Sequence, residues 1–108
     1  MSWFKKGKKD KNPEASNKSI AATVVLNDET GLHVRPASLF AKKAMEFVSS
    51  VHIEMNGRKV NAKSIMEILT LGAASGTRLT IIAQGEDAEK AIETLTGFVE
   101  RGFEDAEE

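Results

Sequence analysis

The sequence predicts an α+β fold, an open-faced two-layer sandwich in which one antiparallel sheet carries its helices on a single face. Three observations predict it. Four short segments alternate apolar and polar residues, and three others repeat apolar residues at helical spacing. They follow one another in the order β-α-β-β-α-β-α, and Asn56-Gly57 joins two of the strands as a two-residue hairpin would. Alternating strands have one face for a core and one for water, so a single layer of helices suffices.

The first strand is "SIAATVVL", residues 19–26, with Ile20, Ala22, Val24 and Leu26 on one side. "NDETG" is a turn. From Pro36, Ala37, Phe40, Ala41, Ala44, Phe47 and Val48 recur at helical spacing, which predicts a helix running through that stretch. "SVHIEM" alternates again with Val51, Ile53 and Met55 inward, and "RKVN" pairs back after Asn56-Gly57. Ser64 opens a short helix, "SIMEILTL", as an S-x-x-E capping box with Glu67 reaching back. After the loop "GAASG", "RLTIIAQ" is the fourth strand. The last helix starts near Asp87 and carries Ala88, Ala91, Ile92, Leu95, Phe98 and Val99; Gly102 and the acidic "EDAEE" close it.

A chain of 108 residues has room for one small domain. Residues 1–18 hold six lysines against two acidic groups and show no periodicity, so they read as a disordered basic arm, with the domain spanning 19–108. The arm is +4 and the body −5, which makes the body a poor binder of nucleic acid. Trp3-Phe4 ahead of the lysines leaves open a contact of the arm with an anionic membrane, although a solvated tail fits its composition better. The chain has no cysteine, no apolar run near the ~18 residues of a membrane span and no secretory leader, so a cytoplasmic protein is expected.

The chemistry concentrates in "GLHVRPAS", residues 31–38. Gly31 permits backbone that other residues avoid, and Pro36 is tolerated in a first helical turn, so a helix opens between His33 and Pro36. The N-terminus of a helix favours an anion, and Arg35 adds a planar cationic fork suited to phosphate oxygens. A largely neutral imidazole offers a nucleophilic ring nitrogen. These parts suit a phosphoryl group carried covalently on His33, yet the octet alone fits a plain helix cap at His33 better. Hydrolysis is disfavoured: the nearest acids in sequence are Asp28 and Glu29, and there is no phosphate-cradling glycine loop. His52, flanked by Val51 and Ile53, points away from the core, and two histidines so differently placed make no metal site.

"GLHVRPAS", "KSIMEILTLGAASGT" and the element order together resemble HPr, the histidine-containing phosphocarrier of the bacterial phosphoenolpyruvate:sugar phosphotransferase system, over about residues 19–104. The resemblance implies a sheet of order 1-4-2-3 covered by three helices. It implies that His33 accepts a phosphoryl group on Nδ1 from phosphorylated enzyme I and passes it to enzyme IIA domains, with Arg35 assisting. It identifies Ser64 with the serine modified by an ATP-dependent HPr kinase/phosphorylase in many such proteins. Val34, Ile65 and Met66 become candidates for partner docking, methionine being suited to varied contacts; Ile65 and Met66 could as well belong to the core. Val34 stands where smaller or hydroxylated residues are common. With His33 present, the chain departs from relatives that lack the histidine and act only in regulation. The implied protein is a carrier, not an enzyme, needs no cofactor, and has enzyme I, enzyme IIA and transcriptional regulators as partners. Within the family, "GFED" is similar to a nitrogen-related branch and "KSIMEILTLG" to sugar-system carriers. A non-phosphorylated interaction module is the alternative outside it.

Overall fold

Among the described residues seven regular elements form in the predicted order: β1 (Ser19–Val25), α1 (Val34–Ala44), β2 (Ser50–Met55), β3 (Arg58–Asn61), α2 (Ile65–Leu69), β4 (Arg78–Gln84) and α3 (Ala88–Glu100). The computed structural model describes residues 19–27 and 31–104. The arm at 1–18, Asp28 and Glu29 of the turn, and the last four residues of the acidic end lie outside the described residues.

The strands make one antiparallel sheet of order β1-β4-β2-β3. Period two sorts their side chains. Ala22, Ile81, Ile53 and Val60 align across the four strands on the helix-covered face. Ile81, Ile53 and Val60 are buried there, joined by Val24, Leu79, Val51 and Ala83. On the bare face Thr23, Thr80, Glu54 and Lys59 form the neighbouring row, with the two threonine hydroxyls 3.2 Å apart. The helices close the core from one side: α3 packs on β1 and β4, α2 on β3, and α1 on both other helices. Asn56 and Gly57 both take positive φ, as the hairpin turn requires.

Two helix ends differ in how legible they are. At α3, Gly102 (φ +72) lets the chain reverse, Gly102 N–H bonds to Val99 O at 3.0 Å and Phe103 N–H to Phe98 O at 2.9 Å. This is a Schellman ending, sealed by the edge-on contact of the Phe98 and Phe103 rings. At α1 the helix stops at Ala44, so Phe47 and Val48 do not extend its stripe as the spacing predicts. Phe47 packs on the core from outside the helix, and Val48 is 76 % exposed. The Glu46 and Phe47 N–H groups turn to the carbonyls of Lys43 and Ala44, three residues back, and the chain that follows is held from across the molecule. The Asp87 carboxylate accepts the N–H groups of Val48 and Ser49, both at 3.0 Å, and the Ser49 hydroxyl at 2.5 Å. Lys63 Nζ meanwhile donates to Phe47 O at 2.8 Å. Asp87 is the N-cap residue of α3, yet its side chain is spent on this loop and makes no capping hydrogen bond.

Candidate functional site

His33 lies at the N-cap of α1, with extended backbone (φ −108°, ψ −166°). What holds it there is the loop between α2 and β4. Gly76 N–H donates to Leu26 O at 2.6 Å and Leu26 N–H to Thr77 O at 2.8 Å, which fastens that loop to the end of β1. Leu32 N–H then donates to Ala73 O at 2.9 Å. Gly31, at φ +80, is buried against the same loop, so its conformational freedom is needed here. The His33 N–H bonds to Gly31 O at 3.1 Å, and His33 O accepts the first helical hydrogen bond, from Ala37 N–H at 2.9 Å.

The His33 side chain is exposed and makes no capping hydrogen bond. The plain-cap reading thus finds its backbone half and lacks its side-chain half. Val34 and Arg35, both exposed, open the first turn, and Pro36 is buried at the third position, where its missing N–H costs nothing. No acidic residue stands in that turn. The N-terminal end of an eleven-residue helix, with the cationic Arg35 two residues after His33, therefore favours an anion at this end of α1. The geometry suits an anion held next to the imidazole.

Ser64 is the N-cap of α2 and accepts Glu67 N–H at 3.3 Å. The other half of the capping box is different from the expectation. Glu67 Oε1 accepts Asn61 N–H at 2.8 Å, because the Ser64 N–H is already bonded to Asn61 O at 3.2 Å. Ile65 and Met66 point outward, Met66 at 75 % exposed, so Met66 is a surface side chain; Ile68 is the helix's buried anchor. α1 and α2 pack together, which places both N-cap residues on one helical layer.

His52 lies in mid-sheet, half-buried, opposite Asn61 and Ile82 on the bare face. Among the described residues no group of three potential ligands could hold a metal ion, and no helix is long and apolar enough to cross a membrane. A groove of about 260 Å³ lined by Leu39, Lys42, Lys43, Glu46 and Phe98 contains none of the site residues. Sequence reasoning missed the role of Ala73, whose contribution is a backbone carbonyl and therefore carries no side-chain signal.

Residues 20–101 match the family model described as the PTS HPr component phosphorylation site. The HPr-like protein Crh of Bacillus subtilis is 50 % identical over 72 residues, 67 % of this chain and 85 % of that protein. The phosphocarrier protein HPr of Buchnera aphidicola is 52 % identical over 66 residues, 61 % of this chain and 78 % of its own length. Among solved structures, HPr-C-His from Thermoanaerobacter tengcongensis aligns with a TM-score of 0.75 and 42 % identity, covering 82 % of this chain and 98 % of that one. HPr from Bacillus anthracis gives 0.72 and 40 %, over 76 % and 98 %. Its sheet order, its helix layer and the match over most of its length make this chain a member of the HPr family, phosphocarriers of the phosphotransferase system rather than catalytic enzymes.

Proposed function

We propose that the chain carries a phosphoryl group on Nδ1 of His33, taken from phosphorylated enzyme I and delivered to enzyme IIA domains in the control and uptake of carbohydrates. The observation that supports this best is an exposed imidazole at the N-cap of α1, with Arg35 in the first turn of that helix and no acidic residue in that turn. In the transfer, the Nδ1 lone pair forms the P–N bond as the donor's bond to phosphorus breaks. The charge on the phosphoryl oxygens is met by the helix N–H groups and the Arg35 fork, and phosphoryl transfer asks little beyond such positioning and charge. Onward transfer reverses the step on a new acceptor. Residues 19–108 form the carrier domain in this reading, residues 1–18 stay outside it, and the protein works in the cytoplasm.

Val34, Ile65 and Met66 form the docking surface; Val34 and Met66 are 63 % and 75 % exposed, as a transient interface of apolar side chains requires. Incubation with enzyme I and phosphoenolpyruvate tests the whole reading. It predicts one acid-labile, base-stable phosphate on the chain, and none when His33 is replaced.

A second, regulatory role has its own support. Several relatives are named Crh, and one solved structure describes Crh as a catabolite repression protein. Ser64, at the head of α2 beside the exposed Ile65 and Met66, is positioned for modification by an HPr kinase/phosphorylase and for recognition by transcriptional regulators. A nitrogen-related carrier would share the His33 chemistry and differ in its enzyme IIA partner.

A further inference from the structure

The segment that presents His33 rests on one carbonyl oxygen. Ala73 O accepts Leu32 N–H at 2.9 Å. The same oxygen leaves no space for a side chain at position 31: a Cβ there would sit 2.7 Å from it and 3.3 Å from Ala74 Cα. Backbone conformation alone does not explain the glycine. Gly57, Gly72, Gly76 and Gly102 also have positive φ, and a Cβ on any of them would meet nothing within 4 Å. Gly31 is there to let the chain lie directly on Ala73.

Ala73 is itself buried, and the loop that bears it is pinned to β1 through Leu26, Gly76 and Thr77. From that fixed point the linkage to His33 is two residues long. Leu32, buried, is held by its N–H, and His33 is then gripped by Gly31 O behind it and the first turn of α1 ahead. We propose that the Ala73 carbonyl, acting through Gly31 and Leu32, is the positioning group that sets where the His33 ring stands against the end of α1 and Arg35. This rests on the reading of His33 as phosphoryl acceptor.

Gly31→Ala would have to separate Ala73 O from position 31 by about 0.7 Å to reach an ordinary contact of 3.4 Å. Displacements approaching 1 Å at a reacting group cost up to about a hundredfold in rate. The experiment compares Gly31→Ala with Gly57→Ala, which has nearly the same φ (+82) and open space around it. Phosphorylation by enzyme I is followed at saturating donor, after the parent chain has been shown to be labelled on His33. An unlabelled parent would sink the acceptor reading itself and is visible before any variant is tested.

Both variants should melt lower. Only Gly31→Ala should accept phosphate about ten- to a hundredfold more slowly, with faster exchange of the Leu32 amide and shifted ring resonances of His33. A second variant inserts one glycine between Ser75 and Gly76, which slackens the loop and leaves Gly31 untouched; it should slow transfer severalfold, and it decides the matter if Gly31→Ala does not fold. Parental transfer with a fast-exchanging Leu32 amide in either variant would overturn the proposal. Equal slowing in Gly57→Ala would overturn it too, because generic strain would then account for the loss.

Discussion

Ser64→Ala and Ser64→Asp separate the folding role of this residue from its effect on partners. In Ser64→Ala the Glu67 N–H loses its acceptor. That bond is 3.3 Å, at the long end for N–H···O, so the loss belongs low in the ~0.5–2 kcal/mol range of N-caps. Glu67 remains anchored by Asn61 N–H at 2.8 Å, which keeps α2 in place. A loss of roughly 0.5–1 kcal/mol lowers the melting temperature of a domain this size by about 2–8 °C. Ser64→Asp preserves the cap and sets a carboxylate at a helix N-terminus, where charge is tolerated or favourable, so its melt should stay close to the parent's. Function should move the other way. A charge beside exposed Ile65 and Met66 must be desolvated on docking, so acceptance from enzyme I should fall by at least about tenfold in Ser64→Asp and remain parental in Ser64→Ala. The assay is the initial rate of His33 phosphorylation beside thermal melts of both variants. If both accept phosphate at the parental rate, Ser64 is only a cap; if Ser64→Asp melts below Ser64→Ala, the capping argument fails.

Arg35→Ala should leave His33 modifiable and slow transfer about tenfold, since one charge-assisted contact to phosphate is worth roughly 1.5–3 kcal/mol before the helix end compensates; unchanged transfer would mean that the helix end suffices. Asp87→Asn should cost about 1–2 kcal/mol at pH 7, read by denaturant unfolding, because three donors lose a charged acceptor. The Ser49 hydroxyl chiefly, with the Val48 and Ser49 N–H groups, holds the Asp87 carboxyl below the ordinary aspartate range, with burial pulling the other way. A depressed carboxyl stabilises the fold fully above its unfolded value, and that contribution fades as pH falls below about 4, so the gap between parent and Asp87→Asn should narrow there; a gap constant from pH 7 to pH 2.5 contradicts the linkage. Deleting residues 1–18 should leave transfer unchanged, and anionic vesicles at low salt test the arm: equal binding by full and truncated chains removes the membrane contact.

Much of this architecture can be read from the residues because burial has a period. Ile20 to Leu26, Val51 to Ile53 and Leu79 to Ala83 alternate as strands of a one-sided sheet do, and Gly102 marks the end of α3. The order of the strands has no such local signature and came from the family resemblance. The end of α1 misleads for a different reason: Phe47 and Val48 keep the helical spacing, but the Glu46 and Phe47 N–H groups tighten onto the carbonyls three residues back, and a carboxylate 39 residues beyond Val48 takes the Val48 and Ser49 N–H groups. Glu67 is misjudged similarly, since its capping-box partner is pre-empted by Asn61 O. At the site, His33, Arg35 and Ser64 are conspicuous as side chains. The outward direction of Met66 and the grip of Ala73 on Leu32 depend on how α2 and its following loop pack, which no short-range pattern encodes.

The central claim is that His33 is the residue that carries the phosphoryl group. The direct measurement is intact-mass and ³¹P NMR analysis of the chain after incubation with enzyme I and phosphoenolpyruvate, run on the parent, His33→Ala and His52→Ala. The parent and His52→Ala should each gain one phosphate with the resonance of an Nδ1-phosphohistidine, labile in acid and stable in base. His33→Ala should gain none while keeping its fold, since its ring makes no capping bond and its loss costs no more than about 1 kcal/mol. A phosphate retained in folded His33→Ala, or a parent that stays unmodified by an active enzyme I, would contradict it.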